Sequence, residues 1–209
     1  WYSWLMSWSN SLTILKQQAA LAGVSSEVLG YLANTMKAES EGNPTATSGI
    51  KGNTAKGLFG FIDSTWHSVC RSHGLNAGER FNTETQCKAA LALTMDNAKA
   101  LKSVLGREAT MGELYLAHFA GVGGAKTLLA ADDNTPISGL LSATAMQRNA
   151  GIKLKSGKRF ADWTVADIRY WASVEKMHMS GIAPDNSANE TLEKSDGNII
   201  MTLLNAVMD

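Results

Sequence analysis

Apolar residues recur at helical spacing over 11–23, 26–41, 62–73, 84–104, 110–119, 122–131 and 164–178, with clusters of Gly, Pro, Asn and Ser between them. Alternating patterns of strand type are scarce. A chain patterned this way can bury its apolar stripes only by packing helix on helix, so a mainly α fold is predicted. The stretch 42–60 is the exception. It is too rich in Gly, Thr and Ser to continue a helix and predicts a small irregular loop or hairpin. At 209 residues the chain can hold one ordinary domain with a real core.

Charge excludes several classes of partner. Lys plus Arg and Asp plus Glu are both 19, so no polybasic field points to nucleic acid or anionic lipid. No apolar run has the length of a membrane span, and stable membrane insertion is not expected. The opening Trp1-Tyr2-Ser3-Trp4-Leu5-Met6-Ser7-Trp8 lacks the basic start of a signal peptide and an initiator Met, which reads as a piece of a longer polypeptide. The expected organisation is an aromatic, helical N-terminal extension at 1–19, a domain at 20–180, a polar Pro/Gly/Asn-marked linker at 181–198, and the start of a further segment or C-terminal helix at 199–209. Cys70 and Cys87 are either bridged or simply two small buried residues. No Cys/His spacing matches a metal site, and neither metal nor cofactor is expected.

One residue of the second helical segment is chemically out of place. Ser25 or Ser26 can cap it, Glu27 suits its first turn, and Val28, Leu29, Leu32 and Met36 form its apolar stripe. Glu39 follows Met36 by three positions and falls on that same stripe. Gly42-Asn43-Pro44 then ends the helix, which places Glu39 in the last turn, where the carbonyl end of the dipole and apolar neighbours both disfavour a charged carboxylate. A carboxyl that keeps its proton near neutral pH is what protonation of a glycosidic oxygen requires. The alternative is a solvent-facing Glu at a frayed helix end.

Glu39-Ser40, the downstream Ala46 and Ser48, the turn Gly57-Leu58-Phe59-Gly60-Phe61 and the block Ala117-His118-Phe119-Ala120-Gly121 follow one another in an order that resembles the soluble lytic transglycosylases of goose-lysozyme-like fold. Leu114-Tyr115-Leu116-Ala117-His118-Phe119, followed by Gly124-Ala125, is similar to the phage branch of that family, and the stretch 157–168 resembles its closing segment. The resemblance covers about residues 20–180. It implies a lysozyme-like helical domain with the irregular loop beside the active-site cleft.

The resemblance further implies that Glu39 is the sole catalytic acid/base. The substrate would be the β-1,4 bond between N-acetylmuramic acid and N-acetylglucosamine in peptidoglycan, and the product a 1,6-anhydro end. Ser48, Leu58, Phe59, Gly60, Tyr115, His118 and Phe119 are the implied substrate-binding residues. Tyr115 is read either as a hydrogen-bond partner of Glu39 or the sugar, or as a core tyrosine with a wet tip. Phe59, Phe61 and Phe119 form either a sugar-stacking wall or ordinary core. The chain departs from its relatives at His118, where many have Tyr, and at Gly60, where Gln is common. Glu41, Asp63 and Glu79 are the nearest acids that a hydrolytic muramidase could use as a second carboxylate. The expected function is a phage virion transglycosylase, part of a tail or ejection protein. Its partners are glycan strands and other virion proteins, and it acts in the host periplasm or cell wall. The alternatives are a hydrolytic muramidase of the same fold and an inactive glycan-binding or structural virion domain.

Overall fold

The computed structural model describes residues 2–49 and 51–177. The segments 181–198 and 199–209 lie outside the described residues. The helices are α1 (Tyr2–Ala22), α2 (Ser26–Ser40), α3 (Asp63–His73), α4 (Thr83–Leu105), α5 (Met111–Ala130), α6 (Ala143–Arg148) and α7 (Val165–Tyr170). A π-helical turn, Trp171–Lys176, follows α7 directly. Isolated bridges are the only β pairing among the described residues. No described helix is long and apolar enough to cross a membrane.

Local chemistry explains the helix ends. Ser25 caps α2 by accepting from the Val28 N–H, Asn82 caps α4, and Thr110 and Thr164 open α5 and α7 with reciprocal capping boxes to Glu113 and Asp167. The segments expected at 110–119 and 122–131 are two helical runs within α5, separated at Gly121, whose φ of 69° and ψ of 163° are not helical. The short helix α6 lies in a stretch where the sequence pattern predicts none. Two short apolar turns cannot establish a period.

Helix α4 packs against α1, α2 and α3 as well as α5, and α5 packs against α2, α7 and the π-turn. The core therefore runs along α4 and α5. Helix α1 contributes to it. Helix α1 begins at Tyr2 rather than near residue 11, Leu15 and Ala19 are buried in the core, and the boundary expected at 19/20 falls inside the helix. Cys70 and Cys87 are buried free thiols facing the same core.

The loop 42–61 carries no ladder, only the bridges Thr47↔Lys56 and Lys56↔Phe61. A side chain from α4 holds it instead. The Gln86 Oε1 accepts from the Leu58 N–H at 2.5 Å, and its Nε2 donates to the Pro44 carbonyl at 3.0 Å. Gly57 has a φ of +80°, and a Cβ there would stand 2.2 Å from Gln86 Oε1, so only glycine fits. Replacing Gln86 by Leu strands a buried donor and a buried acceptor, each costing about 1–3 kcal/mol. Urea unfolding of Gln86→Leu is expected to show a drop of that order with the m-value retained. A midpoint equal to the parent's would show that the loop does not depend on this clamp.

Candidate active site

The end of α2 is fixed from several directions. Glu41 caps it in the left-handed region with φ 52°, its N–H donating to the Lys37 carbonyl. The Ser40 hydroxyl lies 2.9 Å from the Leu58 carbonyl and 3.1 Å from that of Met36, and its oxygen accepts from the Gly42 N–H at 3.2 Å. The Gly42 carbonyl accepts from the hydroxyls of Ser7 and Ser11, each at 2.8 Å. Gly42 also lies against α1 so closely that a Cβ would stand 2.7 Å from the Trp8 Cα. At its other end α2 meets α5, where Glu27 Oε2 accepts from the Met111 N–H at 2.8 Å. The helix carrying Glu39 is thus pinned at both ends.

Glu39 projects into a small pocket. Helix α2 contributes Asn34, Thr35 and Ala38 beside it, α5 contributes Tyr115 and His118, and Lys176 and Met177 close the third side. Both carboxyl oxygens of Glu39 are buried and have no hydrogen-bond partner in the protein. The Tyr115 hydroxyl and the His118 Nε2 are in the same condition.

Burial sets the protonation states. It pushes the Glu39 carboxyl up to about 8 and the His118 imidazole down to about 4. It also raises Tyr115 and Tyr31 above the usual phenol range, and the charge of Glu39 adds to both shifts. Near neutral pH the acid is therefore protonated, and the Tyr115 and His118 rings beside it are uncharged. Sequence reasoning expected the helix dipole to contribute, but desolvation is the cause the geometry supports.

The family model of the transglycosylase SLT domain matches residues 16–135. The chain belongs to this family. It is a lytic transglycosylase, a peptidoglycan-cleaving lyase of lysozyme-like fold. The match spans α2, the loop 42–61 and α5, and stops before α6, α7 and the π-turn.

In this transglycosylase the other implied binding residues divide sharply. Tyr115 and His118 line the pocket with Glu39, although Tyr115 makes no hydrogen bond to it. The aromatic wall is corrected: Phe59, Phe61 and Phe119 are all buried in the core. Phe119 packs edge-on against Trp171 and Phe160, with centroids 5.0 and 6.0 Å apart, and Phe61 against Trp66 at 5.7 Å. Leu58 is fully buried, and both its backbone groups are occupied, by Gln86 and Ser40. Ser48 lies outside the pocket, its hydroxyl donating to the Asn53 carbonyl at 3.3 Å and its N–H to that of Ala55 at 3.2 Å. Gly60 sits in the turn closed by its N–H on the Gly57 carbonyl, with φ 61°.

None of the alternative acids lines the pocket. Glu41 and Glu79 are exposed, Glu79 accepting from the Thr85 hydroxyl. Asp63 pairs with Lys56 and Arg80, each at 3.6 Å. Among the described residues no cluster of His, Cys, Asp or Glu is placed to hold a metal. Sequence reasoning missed Asn34 and Thr35, whose position one turn before Ala38 and Glu39 could have revealed them. It also missed Lys176 and Met177, for which no local signal exists.

The positive φ of Gly60 makes it a backbone requirement, so Gly60→Gln is expected to lose about 1 kcal/mol or more. Denaturant titration measures this, and an unchanged midpoint would restore the reading of Gly60 as a lost glycan contact.

A carboxyl whose folded value lies above its unfolded one stabilises the fold below the unfolded value, and that contribution is lost as pH climbs through the folded value. For Glu39 the window runs from 4.5 to about 8. Glu39→Gln does not ionise, so its melting temperature should gain on the parent's steadily across this window. Parallel melting curves at all pH values would contradict the burial of the acid.

Proposed function

We propose that Glu39 is the single acid/base of this lytic transglycosylase and that the reaction releases 1,6-anhydromuramyl ends. The observation that carries the proposal is a protonated carboxyl with no second carboxylate along its pocket among the described residues. In the first step the Glu39 proton passes to the oxygen between N-acetylmuramic acid and N-acetylglucosamine as the anomeric C–O bond breaks. The substrate's own acetamido group stabilises the oxocarbenium-like centre. In the second step the Glu39 carboxylate takes the proton of the muramyl 6-hydroxyl while that oxygen bonds to the anomeric carbon. The acid is regenerated. Well-oriented intramolecular attack reaches effective concentrations on the order of 10⁵ M or more, so no activated water is required.

Tyr115 and His118 supply the remaining polar atoms. The Tyr115 hydroxyl can donate and accept, and the neutral His118 presents a ring nitrogen with no protein partner, so both are available to sugar hydroxyl or acetamido groups. Asn34 and Thr35 extend the polar side of the pocket along α2. The wider setting we propose is a phage virion protein that opens the host cell wall locally in the periplasm, together with other virion proteins. The likeness of the Leu114–Phe119 block to the phage branch supports this setting.

Two measurements test the chemistry. Glu39→Gln should fold and lose muralytic activity by at least about 10²-fold. Activity within tenfold of the parent would remove Glu39 from the reaction. Mass spectrometry of muropeptides released in oxygen-18 water should show anhydro ends without label, and labelled reducing ends as the main product would select the hydrolytic route.

A further inference from the structure

We propose that the π-helical turn Trp171–Lys176, together with Met177, is a lid that shields the Glu39 carboxyl and lifts when a glycan strand enters. The inference rests on the catalytic reading of Glu39. General-acid transfer requires the glycosidic oxygen within hydrogen-bond reach of the carboxyl. Yet both carboxyl oxygens are buried, although α2 runs along the surface there and Ala38 beside them is exposed. The described conformation is therefore closed, and some wall of the pocket has to move.

The walls differ in how they are held. Helices α2 and α5 are locked to one another by the Glu27 to Met111 hydrogen bond and by the approach of Gly30 to Met111, where a Cβ would stand 2.7 Å from the sulfur. Moving either would break the core. The π-turn is firmly rooted at its start. Trp171 and Ala172 are buried, and Gly112 of α5 lies against Ser173 so tightly that a Cβ would stand 2.8 Å from the Ser173 Cα. Beyond that point Ser173 and Val174 are exposed and Glu175 and Lys176 are only half-buried. The outer end is held by the Met177 N–H on Ala172, by Glu175 accepting from the Lys155 N–H at 2.9 Å, and by the Lys176 ammonium 5.4 Å from the Trp171 ring centroid.

The placement is suited to gating. Met177 is the buried plug, and Lys176 borders the same pocket. π-Helical turns are rare and occur frequently at functional sites. The turn lies beyond residue 135, where the family match ends. Apparent substrate affinity is reduced by the fraction of time the lid is closed, so weakening the plug should raise activity.

Accessibility at position 39 provides a readout independent of catalysis. In the full chain carrying Glu39→Cys, maleimide labelling of the new thiol is followed against the buried Cys70 and Cys87 as slow internal references. Adding Met177→Ala should speed labelling at least about fivefold, as should Gly112→Ala, which displaces the base of the turn. With Glu39 intact, Met177→Ala should raise kcat/KM on purified sacculi. Labelling of position 39 within twofold of the parent in both variants would overturn the lid. Should Met177→Ala not fold, hydrogen exchange of the unmodified chain decides. The Met177 amide is expected to exchange by local opening, and exchange only through global unfolding would overturn the proposal. If instead Glu39→Gln keeps its activity, the catalytic reading fails while the labelling result still reports the lid.

Discussion

The structure depends on holding an unpartnered carboxyl in place at the end of a helix. Leaving a buried polar group without a partner costs about 1–3 kcal/mol, and Glu39, Tyr115 and His118 each carry such a group within one pocket. Nothing inside the pocket compensates them. The compensation lies around it, in the hydroxyls of Ser7 and Ser11 on Gly42, Ser40 against Leu58, Gln86 across the loop, and the Arg107 guanidinium gripping Glu113 at 2.7 and 2.9 Å beneath the first turn of α5. Local conflicts of this kind are expected where a fold gives up stability for function.

The electrostatics of the pocket follow from the same burial. In the proposed reaction a single carboxyl first gives a proton and later recovers one, which needs both of its states to be accessible. A value of about 8 places the protonated form in the majority near neutral pH with the carboxylate close in free energy. A cationic His118 beside the acid would stabilise the carboxylate and spoil that balance. Burial keeps the imidazole neutral instead. His118 thus places an uncharged polar ring beside the acid.

Much of this was legible in the residues, because helix periods, caps and stop signals are local. Glu39 stood out because an acid on the apolar stripe of α2 is visible from spacing alone, and Tyr115 and His118 followed once the block around them was matched. What was not legible depends on distant chain. Ser7 and Ser11 look like interruptions of a helix until the Gly42 carbonyl is placed beside them, which is why α1 begins earlier than its pattern suggests. Phe59, Phe61 and Phe119 carry no mark that separates a sugar platform from core, and the cluster of Phe160, Trp163 and Trp171 that claims Phe119 lies far along the chain. Lys176 and Met177 reach the pocket only because α7 and the π-turn fold back onto α5.

The turn at 57–60 is committed to the fold. Both Leu58 backbone groups are occupied, and Gly60 at φ 61° leaves no tolerance for a longer side chain. Its contribution is mechanical. It receives the Ser40 hydroxyl from the end of α2 on one side and the Gln86 amide from α4 on the other, which transmits the rigidity of the central helices to the residue next to Glu39. In the proposed reading, glycan contacts come from the faces of α2 and α5 around the pocket. The loop that most resembles a binding element from its composition is the brace that keeps the acid in position.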